Sequence, residues 1–277
     1  MNFAFTDDQL ALAATVRDVL RAHCPPSSLR TDRTPAWAEL DKVGLFSALS
    51  SDGAELVDLI PALEETGRAC LPGPVAETMV TAAGGRCSVG YAGVAADLDV
   101  SDFLVIGERV VPVGEVRPSP LPGADPCRRL FAVEDGAPAV PVLAALTVAI
   151  SAQLLGVTRH LLDTSVAYAR TRTQFGSRIG AFQAVKHQLA DVAIAADFAA
   201  PLVYRAALTR LERDVSAAKA ASGEAATLAA RTALQVHGAI GYTHELDLRF
   251  WLARAWSLAA AYGGSAHHRA LVRASFS

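Results

Sequence analysis

A mainly α protein in three parts is predicted: an N-terminal helical domain over residues 1–83, a reduced β domain over 84–141 and a C-terminal four-helix bundle over 142–277. Three observations point to it. Alanine is abundant while aromatic residues make up only 6%, as expected of helices meeting through small side chains. Apolar residues recur at alternating three- and four-residue spacing from Phe182 to Val203, the period of one helix face. Between residues 84 and 141, prolines, glycines and short β-type runs gather, so helices stop there.

The elements follow in order. Thr6 is an N-cap with Asp7 and Asp8 in the positive first turn, and Phe5, Leu10, Leu12, Val16 and Leu20 form the apolar face of a first helix. Pro35 opens a second helix through Trp37, Leu40 and Val43, stopped by Gly44. Residues 54–68 make a third helix, and Pro74 is the first residue of a fourth. The β domain contributes the runs 103–106 and 110–111. Residues 137–158 carry no charge and are long enough to span a bilayer. Pro138, Pro141, Thr147, Ser151, Gln153 and Gly156 interrupt that run, so a buried bundle helix is expected and no membrane partner. The next helix carries the stripe Phe182, Val185, Leu189, Val192, Ala196, Ala199 and Val203, with Lys186, Asp191 and Asp197 off it. That stripe and the alanine-rich helix after Ser216 are expected to bury against a partner bundle. Helices over 216–236, 245–261 and 265–274, joined by short turns, complete an antiparallel bundle.

Composition narrows the function. The 277 residues hold 25 Lys and Arg against 28 Asp and Glu, with 52% apolar and 19% charged residues. A disordered chain is excluded, and without a basic excess no nucleic-acid partner is expected. Cys24, Cys70, Cys87 and Cys127 lie far apart with no CxxC pair, and read as buried thiols in a reducing compartment. Asp7 and Asp8 stand where a signal peptide would have basic residues, so a cytoplasmic location is expected.

Two segments carry chemistry. In residues 170–180, Arg170, Arg172 and Arg178 with Gln174 present fork-shaped donors suited to phosphate. A solvated turn with arginine at a helix C-terminus accounts for the same residues. In residues 235–242, Gly238 and Gly241 let a backbone come close to a ligand or a neighbouring subunit. A C-cap followed by a turn explains Gly238 equally well.

Together and in this order, RTQFGSRIGAFQAVKHQLAD and LQVHGAIGYTHELDLRFWLARA resemble the acyl-CoA dehydrogenase family. FTDDQLALAATVRDVL and GRACLPGPVAETMV are similar to its opening helical domain, so the resemblance covers residues 1–83 and 141–277. It implies an acyl-CoA dehydrogenase-like flavoprotein assembled as a dimer of dimers, with the ADP part of FAD on the two C-terminal motifs and the rest held by the adjacent subunit. Arg172 would then pair with the pyrophosphate, Gln174 and Phe175 lie beside it, and Gln183 stand near the adenosine. Gln235, Gly238 and Ala239 would line the other side, Ala239 standing where the family usually has glycine.

Two departures from the family decide the implied function. Its catalytic glutamate usually stands before the last helix, where this chain has Tyr262 or Gly263. The alternative place, early in the first bundle helix, falls near Leu146. Neither holds a carboxylate, and a tyrosine with a pKa of about 10 is a weak base at neutral pH. The β domain is also short and lacks the threonine- and serine-bearing strands that hold the flavin ring. The resemblance therefore implies an FAD-supporting, non-catalytic subunit of a heteromeric acyl-CoA dehydrogenase that α,β-desaturates a CoA thioester. It is similar to the actinobacterial enzymes acting on steroid side chains. A partner subunit would carry the catalytic Glu, electron-transfer flavoprotein would take the electrons, and the assembly would be a heterotetramer. The alternatives are a structural or regulatory paralogue with no FAD contact, and a homomeric dehydrogenase with an unrecognised base.

Other residues read plainly. His267 and His268 lack further metal ligands at any suitable spacing and read as surface or capping histidines. His187 and His237 fit packing as well as an ADP contact, and Glu245 reads as a helix-starting carboxylate after Thr243. Trp251 and Trp256 read as core or interface anchors.

Overall fold

The computed structural model describes residues 4–51, 53–81, 83–243 and 245–276. Helix α1 (Asp7–His23) begins where the cap predicts: the Gln9 amide donates to the Thr6 hydroxyl at 3.3 Å, and the Thr6 amide to the Gln9 side chain at 2.9 Å. Val16 and Leu20 are buried, whereas Leu10, predicted on the same face, is exposed. The next stretch departs from expectation. Pro26–Arg30 is a short 3-10 helix, and α2 (Trp37–Lys42) starts two residues after Pro35 because Ala36 adopts a left-handed φ of 64°. The single turn α3 (Ala48–Ser51) precedes α4 (Leu56–Arg68), and α5 (Val75–Thr81) begins just after Pro74.

Residues 84–141 build two small three-stranded sheets. In the first, β3 (Phe103–Ile106) lies between β1 (Cys87–Val89), which is parallel to it, and β4 (Arg109–Pro112), which is antiparallel. In the second, β6 (Leu130–Ala132) lies between β2 (Val94–Ala96) and β5 (Ser119–Leu121), antiparallel to both.

The bundle comprises α6 (Val140–Thr171), α7 (Gln183–Thr209), α8 (Glu212–His237), α9 (Leu248–Ala260) and α10 (Ser265–Ala274). Helices α6 and α7 are long and apolar enough to cross a membrane, but the charge-free run of α6 is core: residues 146–158 are all buried. Its polar groups are satisfied locally, with Thr147, Ser151 and Thr158 each donating to the carbonyl one turn back. Helices α4 and α6 cross through facing glycines. A methyl on Gly67 would overlap the Gln153 carbonyl, and one on Gly156 would overlap the Glu64 carbonyl.

Five residues of the stripe on α7 are covered by this chain itself, whereas Phe182 is exposed and Val185 half-buried. Leu189, Val192, Ala196, Ala199 and Val203 are buried within this chain, as are Ala218, Ala225, Ala226, Ala229 and Ala230 of α8. Intramolecular packing of α7 on α8 covers these residues of both helices. What remains exposed is the other side of α7, with Ile194 at 53% and Phe198 at 74% exposure. Fully buried Arg254 of α9 joins all three parts, donating to Asp125 at 2.5 Å, the Leu71 carbonyl at 2.8 Å and the Cys127 carbonyl at 3.1 Å. All four cysteines are buried free thiols, and burial pushes Cys24 and Cys127 up to about 11.

Candidate functional site

The basic segment is not a simple helix–helix turn. Helix α6 ends at Thr171, and Arg172 turns extended, its amide donating to the Tyr168 carbonyl at 2.9 Å. Two-residue strands β7 (Thr173–Gln174) and β8 (Ser177–Arg178) then pair antiparallel, and the Ile179 amide donates to the Arg172 carbonyl at 2.9 Å. Phe175 and Gly176 at the tip have φ of 52° and 77°, the two successive left-handed residues of a mirror-type hairpin turn. A short 3-10 turn, Ile179–Ala181, delivers the chain to Gln183, the first residue of α7.

This hairpin stands in solvent. Arg172, Gln174 and Gln183 are exposed, and the Phe175 ring is 93% exposed, with the Phe182 ring edge-on to it at 6.4 Å between centroids. Among the described residues, Arg170, Arg172 and Arg178 have no ion-pair partner. Asp163, the acid nearest in sequence on α6, is already held by Arg68 at 2.5 Å. Three unneutralised guanidinium groups therefore concentrate positive charge on a chain whose net charge is −3.

The second segment faces the same end of the bundle. Helix α8 ends at His237, and Gly238 takes φ 62° and ψ −140°, a conformation open almost only to glycine. Among the described residues, no atom beyond its chain neighbours lies within 4 Å of where its Cβ would stand, so a ligand has room to meet the backbone there. Gln235 and Ala239 are exposed, and the Ala239 methyl lies at the surface. The Tyr242 side chain lies outside the described residues. His237 is buried, its ring stacked on Tyr168 at 4.4 Å, so it packs rather than reaching a ligand. Ala169, Leu189 and Val236 form a small core beneath, joining the end of α6, the start of α7 and the end of α8. All seven residues predicted to touch the cofactor thus lie on segments converging at one end of the bundle. Exposed cationic forks, three exposed amide side chains and an open glycine fit the ADP half of a dinucleotide.

The position expected to hold a base lies on the wall of a cavity, with the Tyr262 side chain turned inward. Tyr262 has a left-handed φ of 54°, is buried, and donates its hydroxyl to Glu77 Oε1 at 2.8 Å. Arg128 Nη2 lies 3.8 Å from the same oxygen. Burial first, and then the facing Glu77 carboxylate, hold the phenol well above the usual tyrosine range. Tyr262 is a hydrogen-bond donor, not a base. Leu146, at the alternative position, is buried core. Outside Tyr262 lies a cavity of about 550 Å³ between β2, β6 and α9, lined by Tyr91, Val94, Leu130 and Trp256, which is 40% exposed.

Three residues near this loop carried no sequence reading of this kind. Glu77 of α5 is the carboxylate behind Tyr262. Lys219 of α8 is fully buried and donates to the Ala259 carbonyl at 2.8 Å and the Gly263 carbonyl at 3.1 Å. Burial, and then Arg128, lower its pKa to about 7. A lysine flanked by alanines, Ala217, Ala218, Ala220 and Ala221, was the available signal. His268, expected at the surface, is buried: Nε2 donates to the Tyr262 carbonyl at 3.0 Å, and Nδ1 lies 3.2 Å from Ser216 Oγ. His267 and His187 are exposed. Glu245 does not start a helix, since α9 begins at Leu248. Trp251 is core, donating to the Arg68 carbonyl at 2.9 Å and stacking on His160 at 3.9 Å. Among the described residues, no three His, Cys, Asp or Glu side chains gather to hold a metal.

Residues 142–276 match the family described as "Acyl-CoA dehydrogenase, C-terminal domain". Acyl-CoA dehydrogenase IpdE2 of Mycolicibacterium smegmatis is 27% identical, covering 93% of this chain and 95% of its own. The crystal structure of the ChsE4-ChsE5 complex from Mycobacterium tuberculosis superposes with a TM-score of 0.86 at 21% identity, over 100% of this chain and 99% of that one. The Tcur3481-Tcur3483 steroid ACAD G363A variant superposes with a TM-score of 0.85 at 19% identity, over 97% of both chains. Those two likenesses are of fold.

Proposed function

This chain belongs to the acyl-CoA dehydrogenase family, and we propose that it is the FAD-supporting subunit of a heteromeric member, serving a cofactor held mainly by an unlike partner. The observation that carries this reading is the exposed hairpin, whose arginines have no ion-pair partner among the described residues. Donors left free on a surface are what a site shared across an interface requires. Arg172 grips the pyrophosphate with its fork, Gln174 and Phe175 flank it, and Gln183 meets the adenosine end. Gln235, Gly238 and Ala239 form the facing wall, with the open space beside Gly238 letting backbone approach. FAD, when bound, accepts the hydride that leaves the β-carbon of a CoA thioester. The α-proton goes to a carboxylate of the partner subunit, because Tyr262 is a buried donor with its hydroxyl committed to Glu77.

Fold likeness to the ChsE4-ChsE5 complex and to a steroid ACAD supports an unlike partner and a steroid side-chain acyl-CoA as the substrate class. The assembly is then a heterotetramer of two unlike pairs, with the apolar side of α7 around Phe198 covered by the partner. Electron-transfer flavoprotein takes the electrons, and the four free thiols suit a reducing cytoplasm.

Purification decides among the readings. Alone, the chain should carry little flavin and oxidise no acyl-CoA; co-purified with its partner, it should form a yellow, active complex. A stoichiometric flavoprotein turning over by itself would establish the homomeric reading. A partner that keeps full flavin and activity without this chain would establish the structural paralogue.

A further inference from the structure

We propose that Tyr168 is a positioning residue: by stacking on His237 it sets the gap between the two segments that grip the ADP moiety. The inference rests on reading those segments as one cofactor cradle. Tyr168 engages both of them at once. Its carbonyl accepts from the Arg172 amide at 2.9 Å and from the Thr171 hydroxyl at 3.1 Å, which fixes the root of the hairpin. Its ring lies 4.4 Å from the His237 ring at an interplanar angle of 27°, and Gly238 follows His237 directly. The His237 ring is itself oriented, because Nδ1 lies 2.8 Å from the Ala233 carbonyl, which can only accept. A carbon added at Gly241 would stand 3.2 Å from the His237 Cβ, so the following turn packs against the base of the same side chain. Tyr168 is only half-buried, whereas neighbouring Ala169 is core. Its ring therefore joins two functional segments more than it fills the interior.

The geometry is tested on the full chain without cofactor. Spin labels attached to Thr173→Cys and Ala239→Cys report the gap, since the four native thiols are buried and resist labelling. One narrow distance is expected in the parent and in Tyr168→Phe, and a broad distribution in Tyr168→Leu. His237→Leu removes the other ring and should give the same broadening, which keeps the test intact if one variant folds poorly. In the co-purified complex, FAD should bind about three- to tenfold more weakly to Tyr168→Leu, with Tyr168→Phe within about twofold of the parent. An unchanged label distance in both leucine variants overturns the positioning role. A parent complex that binds no FAD instead overturns the cofactor reading, and the label distances still decide the positioning.

Discussion

Deleting one oxygen atom from Tyr262 separates a structural phenol from a catalytic one. In Tyr262→Phe the ring stays and the 2.8 Å hydrogen bond to Glu77 Oε1 disappears. Both groups are buried, and the nearest remaining cation, Arg128, is 3.8 Å from that oxygen. A buried acceptor left short of a donor costs about 1–3 kcal/mol. In a chain of this size each kcal/mol moves Tm by about 2–4 °C, so a fall of roughly 2–12 °C is expected. Turnover by the complex, per bound flavin, should be unchanged, because the phenol takes no proton from substrate. Differential scanning calorimetry and a coupled dye-reduction assay measure the two quantities on one preparation. A variant of unchanged Tm whose turnover collapses would refute the reasoning and make Tyr262 catalytic.

Arg172→Ala should weaken FAD binding by the complex about ten- to a hundredfold, since a charge-assisted hydrogen bond contributes roughly 1.5–3 kcal/mol. Its Tm should not move, because no ion pair is lost; Arg172→Lys should fall between, and wild-type affinity in Arg172→Ala ends the assignment. Gly156→Ala forces a methyl into the Glu64 carbonyl and should lower stability by about 1–3 kcal/mol, read from chemical denaturation, whereas an unaltered midpoint would show that α4 and α6 can part without cost. Lys219 titrates near 10.5 when unfolded and at about 7 when folded, so the folded chain binds fewer protons in that window and stability rises with pH across it. Lys219→Met should therefore gain on the wild type as pH falls from 10.5 toward 7 and hold that gain below; a difference independent of pH would refute the lowered pKa.

Much of this was legible before any coordinates. Thr6 followed by Asp7 and Asp8 writes a helix start into three residues, and α1 begins there. Leu189, Val192, Ala196, Ala199 and Val203 record the period of a buried face, and all five are buried. The two C-terminal motifs that carry the family resemblance, and the absence of a carboxylate at Tyr262, Gly263 and Leu146, are matters of residue identity. The two-residue turn at Phe175 and Gly176 was less visible, because strands of two residues have no period to detect.

The remainder depended on which distant residue meets which. Periodicity showed that α7 has an apolar face, but only packing showed that α8 of the same chain covers it and that Ile194 and Phe198 stay exposed. Glu77 lies 185 positions from Tyr262, and nothing local to either announces their hydrogen bond. Lys219 and His268 likewise reveal their roles only where carbonyls of the Tyr262 loop come within reach. Composition, caps and motifs are set by neighbours in the chain, so the sequence alone determined most of the helices and the family resemblance. Tertiary structure decided the burial partners and the pKa of Lys219, because desolvation and hydrogen bonding arise only when remote segments close around a group.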